Sequence, residues 1–346
     1  GGNQLLRIFA SSGFLDKSER VNTAVSRLNA CGFQVTNAEA AYRRYQRFAG
    51  ADFQRVQDLQ DVATGRVATP KVLLGARGGY GAIRLLPQIN WDGLGGRMRE
   101  QGTLLMGYSD VCAIQLALLA QTGVPSFAGP MLYSEFGSPN PSPFTMQNFI
   151  DGTTQAEHTV SVGQIQARDV NISGQFWGGN LSVLQSLAGT PYMPDINGGI
   201  LFIEDVNEQP YRIERALQTL HLAGILKKQQ AIVFGDFRMG NIRDAYDSSY
   251  TLSSVMQTLQ SVTKIPILTG FPFGHISNKV TMPLGAQAHI RSTPNGGYQV
   301  TFNHYPILNA QGLNLAQLLP QPAFDGLDFI GGHTGANQDS QIIEAE

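Results

Sequence analysis

The chain reads as an α/β protein of two domains, a mainly parallel sheet first and a strand-rich domain after it. Three observations predict this. Its 346 residues exceed one ordinary domain and leave ample length for hydrophobic cores. Short apolar runs alternate with helical periodicity up to about residue 130, and strands outnumber helices beyond residue 170. In order, Leu5 to Ala10 predicts a strand, and Val21, Val25 and Leu28, spaced i, i+4, i+7 ahead of Gly32, predict a helix. Phe33 to Thr36 repeats the strand, Val56, Leu59 and Ala63 the helix, and Val72 to Leu74 a third strand, with a short helix near Ala82 to Leu86. Thr103 to Met106 supplies another strand and Asp110 to Ala120 another helix. Such βα units build a parallel sheet covered on both faces, with ligand sites beyond the strands' carboxyl ends. In the second domain, Ile200 to Ile203, Ala231 to Phe234, Ile265 to Leu268 and Tyr298 to Phe302 predict strands of a mixed or barrel-like sheet. Ile213, Ala216, Leu217 and Leu220 form the apolar face of a helix entered at Pro210 and ended at Gly224.

Residues 1–135 are expected to form the first domain, 136–165 a linker, 166–320 the second domain and 321–346 a peripheral tail. The linker reading rests on the run Ser138-Pro139-Asn140-Pro141-Ser142-Pro143. Lys and Arg number 24 against 26 Asp and Glu, a net charge of −2. With no long run of either sign, neither a nucleic-acid footprint nor a polybasic membrane patch is expected. Val111 to Ser134 is an uncharged stretch of 24 residues, but Gln115, Gln121, Gly123, Pro125, Gly129 and Pro130 interrupt it, so a buried helix followed by a strand is expected instead of a membrane span. Cys31 and Cys112 read as small buried hydrophobes. No basic segment followed by an apolar one opens the chain, so a cytoplasmic protein is expected.

The sharpest chemical signal is Leu104-Leu105-Met106-Gly107-Tyr108-Ser109-Asp110, a strand running through a tight turn into a helix. A serine at such a junction is presented above the sheet, and the next N–H points out of a helix start that favours negative charge. Ser-Asp ahead of an apolar helix also serves as an N-cap. A second signal is the glycine loop Ala76-Arg77-Gly78-Gly79-Tyr80-Gly81, again after an apolar strand. Its N–H groups can approach an oxyanion or cradle an anion, and its spacing is not that of a dinucleotide fingerprint. A serine nucleophile needs a base and a carboxylate to orient it. His275, in the Gly/Pro loop Gly270 to Asn278, is the most suggestive of the six histidines. The others, His158, His221, His289, His304 and His333, read as core or surface. Glu204 ends a strand, and Asp205 and Glu208 compete with it, since both could serve the helix at Pro210. No metal-ligand spacing and no Walker A motif occurs, so a hydrolase without metal or cofactor is the expected chemistry.

These motifs together resemble the LD-carboxypeptidases, a serine peptidase family that includes muramoyltetrapeptide carboxypeptidase and the microcin-C immunity peptidases. The likeness runs from about Leu6 to Leu308. It is carried by Ala10 to Gly13, Arg47 to Gly50, Ala76 to Gly81, Gly107 to Asp110, Gly129 to Met131, Gly178 to Ser182, Gly189 to Asp195, Leu201 to Asp205, and Gly274-His275 with Leu284-Gly285. The resemblance implies Ser109 as nucleophile, Glu204 as orienting carboxylate and His275 as general base, with N–H groups of Asp110, Gly78 and Gly79 as the oxyanion hole. It implies a Rossmann- or flavodoxin-like first domain, a swivelling β-rich second domain and a homodimer. The implied substrate is a murein tetrapeptide, cleaved between meso-diaminopimelate and D-Ala in cell-wall recycling. Arg77 and Arg212 are candidates for the substrate carboxylate, and Tyr80 and Asn180 for other substrate contacts. The alternative of a peptidyl- or aminoacyl-adenylate hydrolase would use Trp177 as a purine platform, against the plainer reading of Trp177 as a core residue. A non-catalytic two-lobed binding protein is the third reading.

Overall fold

A computed structural model describes residues 4–320; the expected tail at 321–346, with His333, lies outside the described residues. The first sheet takes its strands from β1 (Leu5–Phe9), β2 (Gln34–Thr36), β3 (Val72–Gly75), β4 (Leu104–Gly107) and β5 (Ser126–Ala128), with helices α1 (Ser18–Ala30), α2 (Asp52–Ala63), α3 (Trp91–Gln101) and α4 (Cys112–Thr122) between them. These strands run parallel in the order β2-β1-β3-β4-β5, the flavodoxin-like order. Their period-two alternation builds two cores. Leu6, Ile8, Leu74, Met106 and Phe127 face α1, while Phe9, Leu73 and Leu105 face α2, α3 and α4.

The stretch expected as a linker carries α5 (Pro143–Thr154), capped by Ser142, whose Oγ accepts from Thr145 N–H at 3.2 Å, and β6 (His158–Val162). The second sheet continues with β7 (Asn171–Asn180), β8 (Gly199–Glu204), β9 (Gln229–Phe234) and β10 (Ile267–Leu268), flanked by α6 (Leu181–Ser186), α7 (Pro210–Leu222) and α8 (Leu252–Thr263). After β10 come β11 (Met282–Leu284), β12 (Ala286–Ser292) and β13 (Tyr298–Asn303). The seven-stranded order β10-β9-β8-β7-β12-β13-β6 is parallel on its first four strands and antiparallel on the rest. The mixed alternative is therefore the one observed, as an open sheet.

β11 does not join this second sheet but pairs antiparallel with β5, so the first sheet has six strands and one edge comes from the second half of the chain. Pro283 is tolerated there because an edge strand need not donate on both sides. Leu308, Leu315 and Leu318 return to the α1 face of the first sheet. Helix α4 is buried nearly throughout because it packs on α3 on one side and on α6 and β7 on the other. That double cover is why its sequence is apolar all round. Among the described residues no helix is long and apolar enough to cross a membrane.

Candidate active site

The two sheets present their carboxyl ends to one another, and the loops that leave those ends make the site. From the first sheet, β4 ends at Gly107 and the chain turns sharply through Tyr108 and Ser109 into the turn that opens α4. Ser109 adopts φ of 61°, the left-handed region that an L-residue with a Cβ rarely occupies. A glycine would relieve the strain but would have no hydroxyl. From the second sheet, β8 ends on Glu204, and His275 follows the loop after β10.

These three side chains meet. His275 Nδ1 lies 2.9 Å from Glu204 Oε2, and His275 Nε2 lies 3.1 Å from Ser109 Oγ. With the Nδ1 proton donated to Glu204, Nε2 turns its lone pair toward the serine hydroxyl, the tautomer a general base requires. Exposures of 3% for Ser109, 1% for Glu204 and 0% for His275 mean that these bonds act with little competition from water. The His275 loop is fixed from behind, where Arg238 donates to the His275 carbonyl at 3.2 Å and Asp236 bridges to Gly274. A recess of about 670 Å³ lined by Phe234, Arg238, Phe271 and Ile276 lies on that side and contains none of the three.

The cleft that does contain Ser109 is about 440 Å³ and is lined also by Gly79, Tyr80, Asp110, Asn180, Ser182, Asp205 and Glu208. Asp110 Oδ2 accepts the Ala82 N–H at 2.9 Å, tying the glycine loop to the serine turn. Gly79 has φ of 102°, and a Cβ there would sit 3.2 Å from Gly13 Cα, so the loop's close approach requires glycine. Of the expected oxyanion donors, Asp110 and Gly79 line the cleft. Gly78 stands behind them, its carbonyl accepting the Gly13 N–H at 2.9 Å.

Asn180 caps α6 by accepting the Val183 N–H at 3.1 Å, and its amide donates to Asp205 Oδ1 at 3.2 Å and Glu204 Oε1 at 3.4 Å. Asp205, the competitor of Glu204, points elsewhere: it accepts from the Ser182 hydroxyl at 2.6 Å, the Ser182 N–H at 2.9 Å and the Val206 N–H at 2.9 Å. Burial, followed by the neighbouring Glu204 charge, pushes its carboxyl up to about 6.

Tyr80 stands half exposed at the cleft wall. Arg77 donates to the Phe14 carbonyl at 3.0 Å and is not a lining residue. Arg212 sits at the rim, its Nε 2.6 Å from Glu208, beside a recess of about 180 Å³ that it shares with Arg215. Trp177 corrects the expectation of a stacking platform. It is wholly buried in the second sheet, where its indole N–H donates to Gln229 Oε1 at 2.9 Å, because β7 is covered on both faces and turns this position to the same side as its cross-strand partner Leu201.

A buried polar group that no motif announces, Tyr108 with Glu135 and Lys279, stands beside the Ser109, His275 and Glu204 side chains. Its available signal was the placement of Glu135 directly after the uncharged stretch that ends at Ser134.

Comparison with known proteins agrees with this architecture. The model of the LD-carboxypeptidase N-terminal domain matches residues 6–129, and that of the LD-carboxypeptidase C-terminal domain matches residues 173–290. A probable murein peptide carboxypeptidase of Bacillus subtilis is 31% identical over 273 residues, covering 78% of this chain and 83% of its own. The crystal structure of muramoyltetrapeptide carboxypeptidase from Oxalobacter formigenes superposes with a TM-score of 0.79 at 38% identity, over 87% of this chain and 99% of that one. The microcin C7 self-immunity protein MccF of Escherichia coli is 26% identical, covering 75% of this chain and 81% of its own. With both domain models matched in order and a two-domain relative aligned over nearly its whole length, the chain belongs to the LD-carboxypeptidase family.

Proposed function

We propose that the protein is a serine LD-carboxypeptidase that removes the terminal D-Ala from murein tetrapeptides at the meso-diaminopimelate–D-Ala bond. The observation that carries this reading is the unbroken hydrogen-bonded line from Ser109 through His275 to Glu204. In the proposed reaction His275 Nε2 takes the Ser109 proton as Oγ attacks the amide carbonyl, and Glu204 stabilises the imidazolium that forms. The backbone N–H groups of Asp110 and Gly79 receive the oxyanion. His275 then protonates the departing amine of D-Ala and activates the water that releases the shortened peptide from Ser109. No step calls on a metal ion.

The cleft's rim suits the substrate. Glu208 would face the ammonium of diaminopimelate, and Arg212 beside it would receive a substrate carboxylate. Action in cell-wall recycling, a cytoplasmic location and a homodimer belong to the same proposal. The adenylate alternative loses its platform with the burial of Trp177, although Tyr80 offers an exposed ring at the cleft. Incubation of the purified protein with disaccharide tetrapeptide tests the proposal. D-Ala release is expected, with a loss of about 10³-fold or more in Ser109→Ala. Absence of D-Ala, with turnover of a peptidyl adenylate in its place, would overturn the substrate assignment.

A further inference from the structure

One buried ion pair near the triad has no part in the chemistry above. Lys279 Nζ lies 2.8 Å from Glu135 Oε2, with the two side chains 0% and 5% exposed. Glu135 belongs to the first sheet's side of the molecule, on the helical turn Leu132–Phe136 that follows β5. Lys279 lies four residues beyond His275 on the loop leading to β11. The pair therefore joins the segment that carries the base to the half that carries the nucleophile.

The Glu135 carboxylate is fully engaged. Oε2 also accepts the Tyr108 hydroxyl at 2.7 Å, while Oε1 accepts the Met131 N–H at 2.9 Å and the Ser134 hydroxyl at 2.7 Å. Burial works to raise this carboxyl, yet the Lys279 ammonium and the hydrogen bonds from Lys279, Met131 and Tyr108 hold it below the ordinary range. Tyr108 is the residue before the nucleophile. Its ring meets the His275 imidazole edge-on at 5.5 Å and Phe273 edge-on at 5.6 Å, and the Lys279 ammonium stands 5.0 Å from the ring centroid. The same loop is held at two further points. The Lys279 N–H donates to Thr145 Oγ1 at 3.0 Å, and that hydroxyl donates to the Ser277 carbonyl at 2.6 Å.

Two buried charges are expensive to desolvate, and well-packed apolar residues often do as well for stability. What such a pair supplies that apolar packing does not is a fixed distance and direction between the two segments it joins. Resting on the triad reading above, we propose that Glu135 and Lys279 form a latch across the two halves. Together with Tyr108 it sets the separation and ring orientation of His275 relative to Ser109. None of the three is among the cleft-lining residues, so they are positioning residues that act through the triad without touching substrate.

The test compares wild type with Lys279→Met, Glu135→Gln, the charge-free double variant K279M/E135Q, and Tyr108→Phe, which deletes only the hydroxyl. The readouts are thermal melting, steady-state kinetics on disaccharide tetrapeptide, and the rate of labelling by a fluorophosphonate. The double variant is expected to melt close to wild type, because no buried charge is left unpaired. Its kcat and labelling rate fall by about tenfold or more while KM stays within about twofold, since small misplacements of reacting groups cost rate and not affinity. Tyr108→Phe is expected to lose rate in the same pattern by a smaller factor, and it carries the test should the other variants fail to fold. Wild-type kcat and labelling in a folded double variant, or a change confined to KM, would overturn the latch. A wild type that is labelled but releases no D-Ala removes the substrate assignment and leaves the labelling ratios to judge the latch. A wild type that is not labelled at all overturns the nucleophile assignment and the latch with it.

Discussion

Adjacent carboxylates at the end of β8 show how one residue step separates two tasks. Glu204 reaches His275, while Asp205 turns back to the Ser182 and Val206 donors at the start of α6 and the loop beyond β8. The raised Asp205 carboxyl has a consequence for stability. Between the ordinary range near 3.8 and about 6, the folded protein holds a proton that the unfolded chain has already lost. Stability therefore falls as pH rises through that window, by about 3 kcal/mol at most. Asp205→Asn has no such titration, so its melting temperature is expected to gain on wild type as pH is raised from 4 to 7. Parallel melting curves across that range would contradict the assignment. At this scale the sequence identified Ser109, His275 and Glu204 as candidates because each stands at a strand end or in a Gly/Pro loop. Local pattern leaves Glu204, Asp205 and Glu208 as competitors and the family resemblance favours Glu204; which side chain the end of β8 turns toward His275 depends on the docking of the two halves.

The turn from β4 into α4 is the element on which the proposed chemistry rests. Its left-handed serine costs about 1 kcal/mol that glycine would not, and the hydroxyl is lost equally in Ser109→Gly and Ser109→Ala. The glycine variant is expected to be the more stable of the two by about 1 kcal/mol in chemical unfolding, with both at the same residual turnover. Equal stabilities would remove the strain from the argument. Most elements of the first half were legible from period and punctuation, as with β1 and α1 or β4 and α4. The strand-turn-helix expected at Leu104 to Asp110 is present. Helices α3, α5 and α8 have no clear signature in the local pattern. Trp91 to Gln101 contains three glycines, Pro143 to Thr154 follows a proline-rich run, and Leu252 to Thr263 is rich in Ser, Thr and Gln. In each, local composition argues for a loop, and packing on neighbours supplies the helical preference that composition lacks.

For the whole molecule, the decisive feature is that the second half closes the first. β11 supplies an edge of the first sheet, Leu308, Leu315 and Leu318 cover its α1 face, and the cluster around Phe9 and Leu105 runs without a break into Phe176, Phe202 and Ile232. Thermal unfolding is expected as one cooperative transition, and calorimetry that resolves two would show that the halves fold independently. The order of the βα units, the tight turn at Ser109 and the glycine loop after β3 are written locally in the chain, because hydrophobic period and turn chemistry act over a few neighbouring residues. That Glu204 and not Asp205 faces His275, that Trp177 lies in the core, and that Glu135 meets Lys279 follow from the folded chain and from nothing local. Those outcomes depend on contacts between residues 52 to 144 positions apart, and no local pattern encodes the register in which distant strands and loops dock.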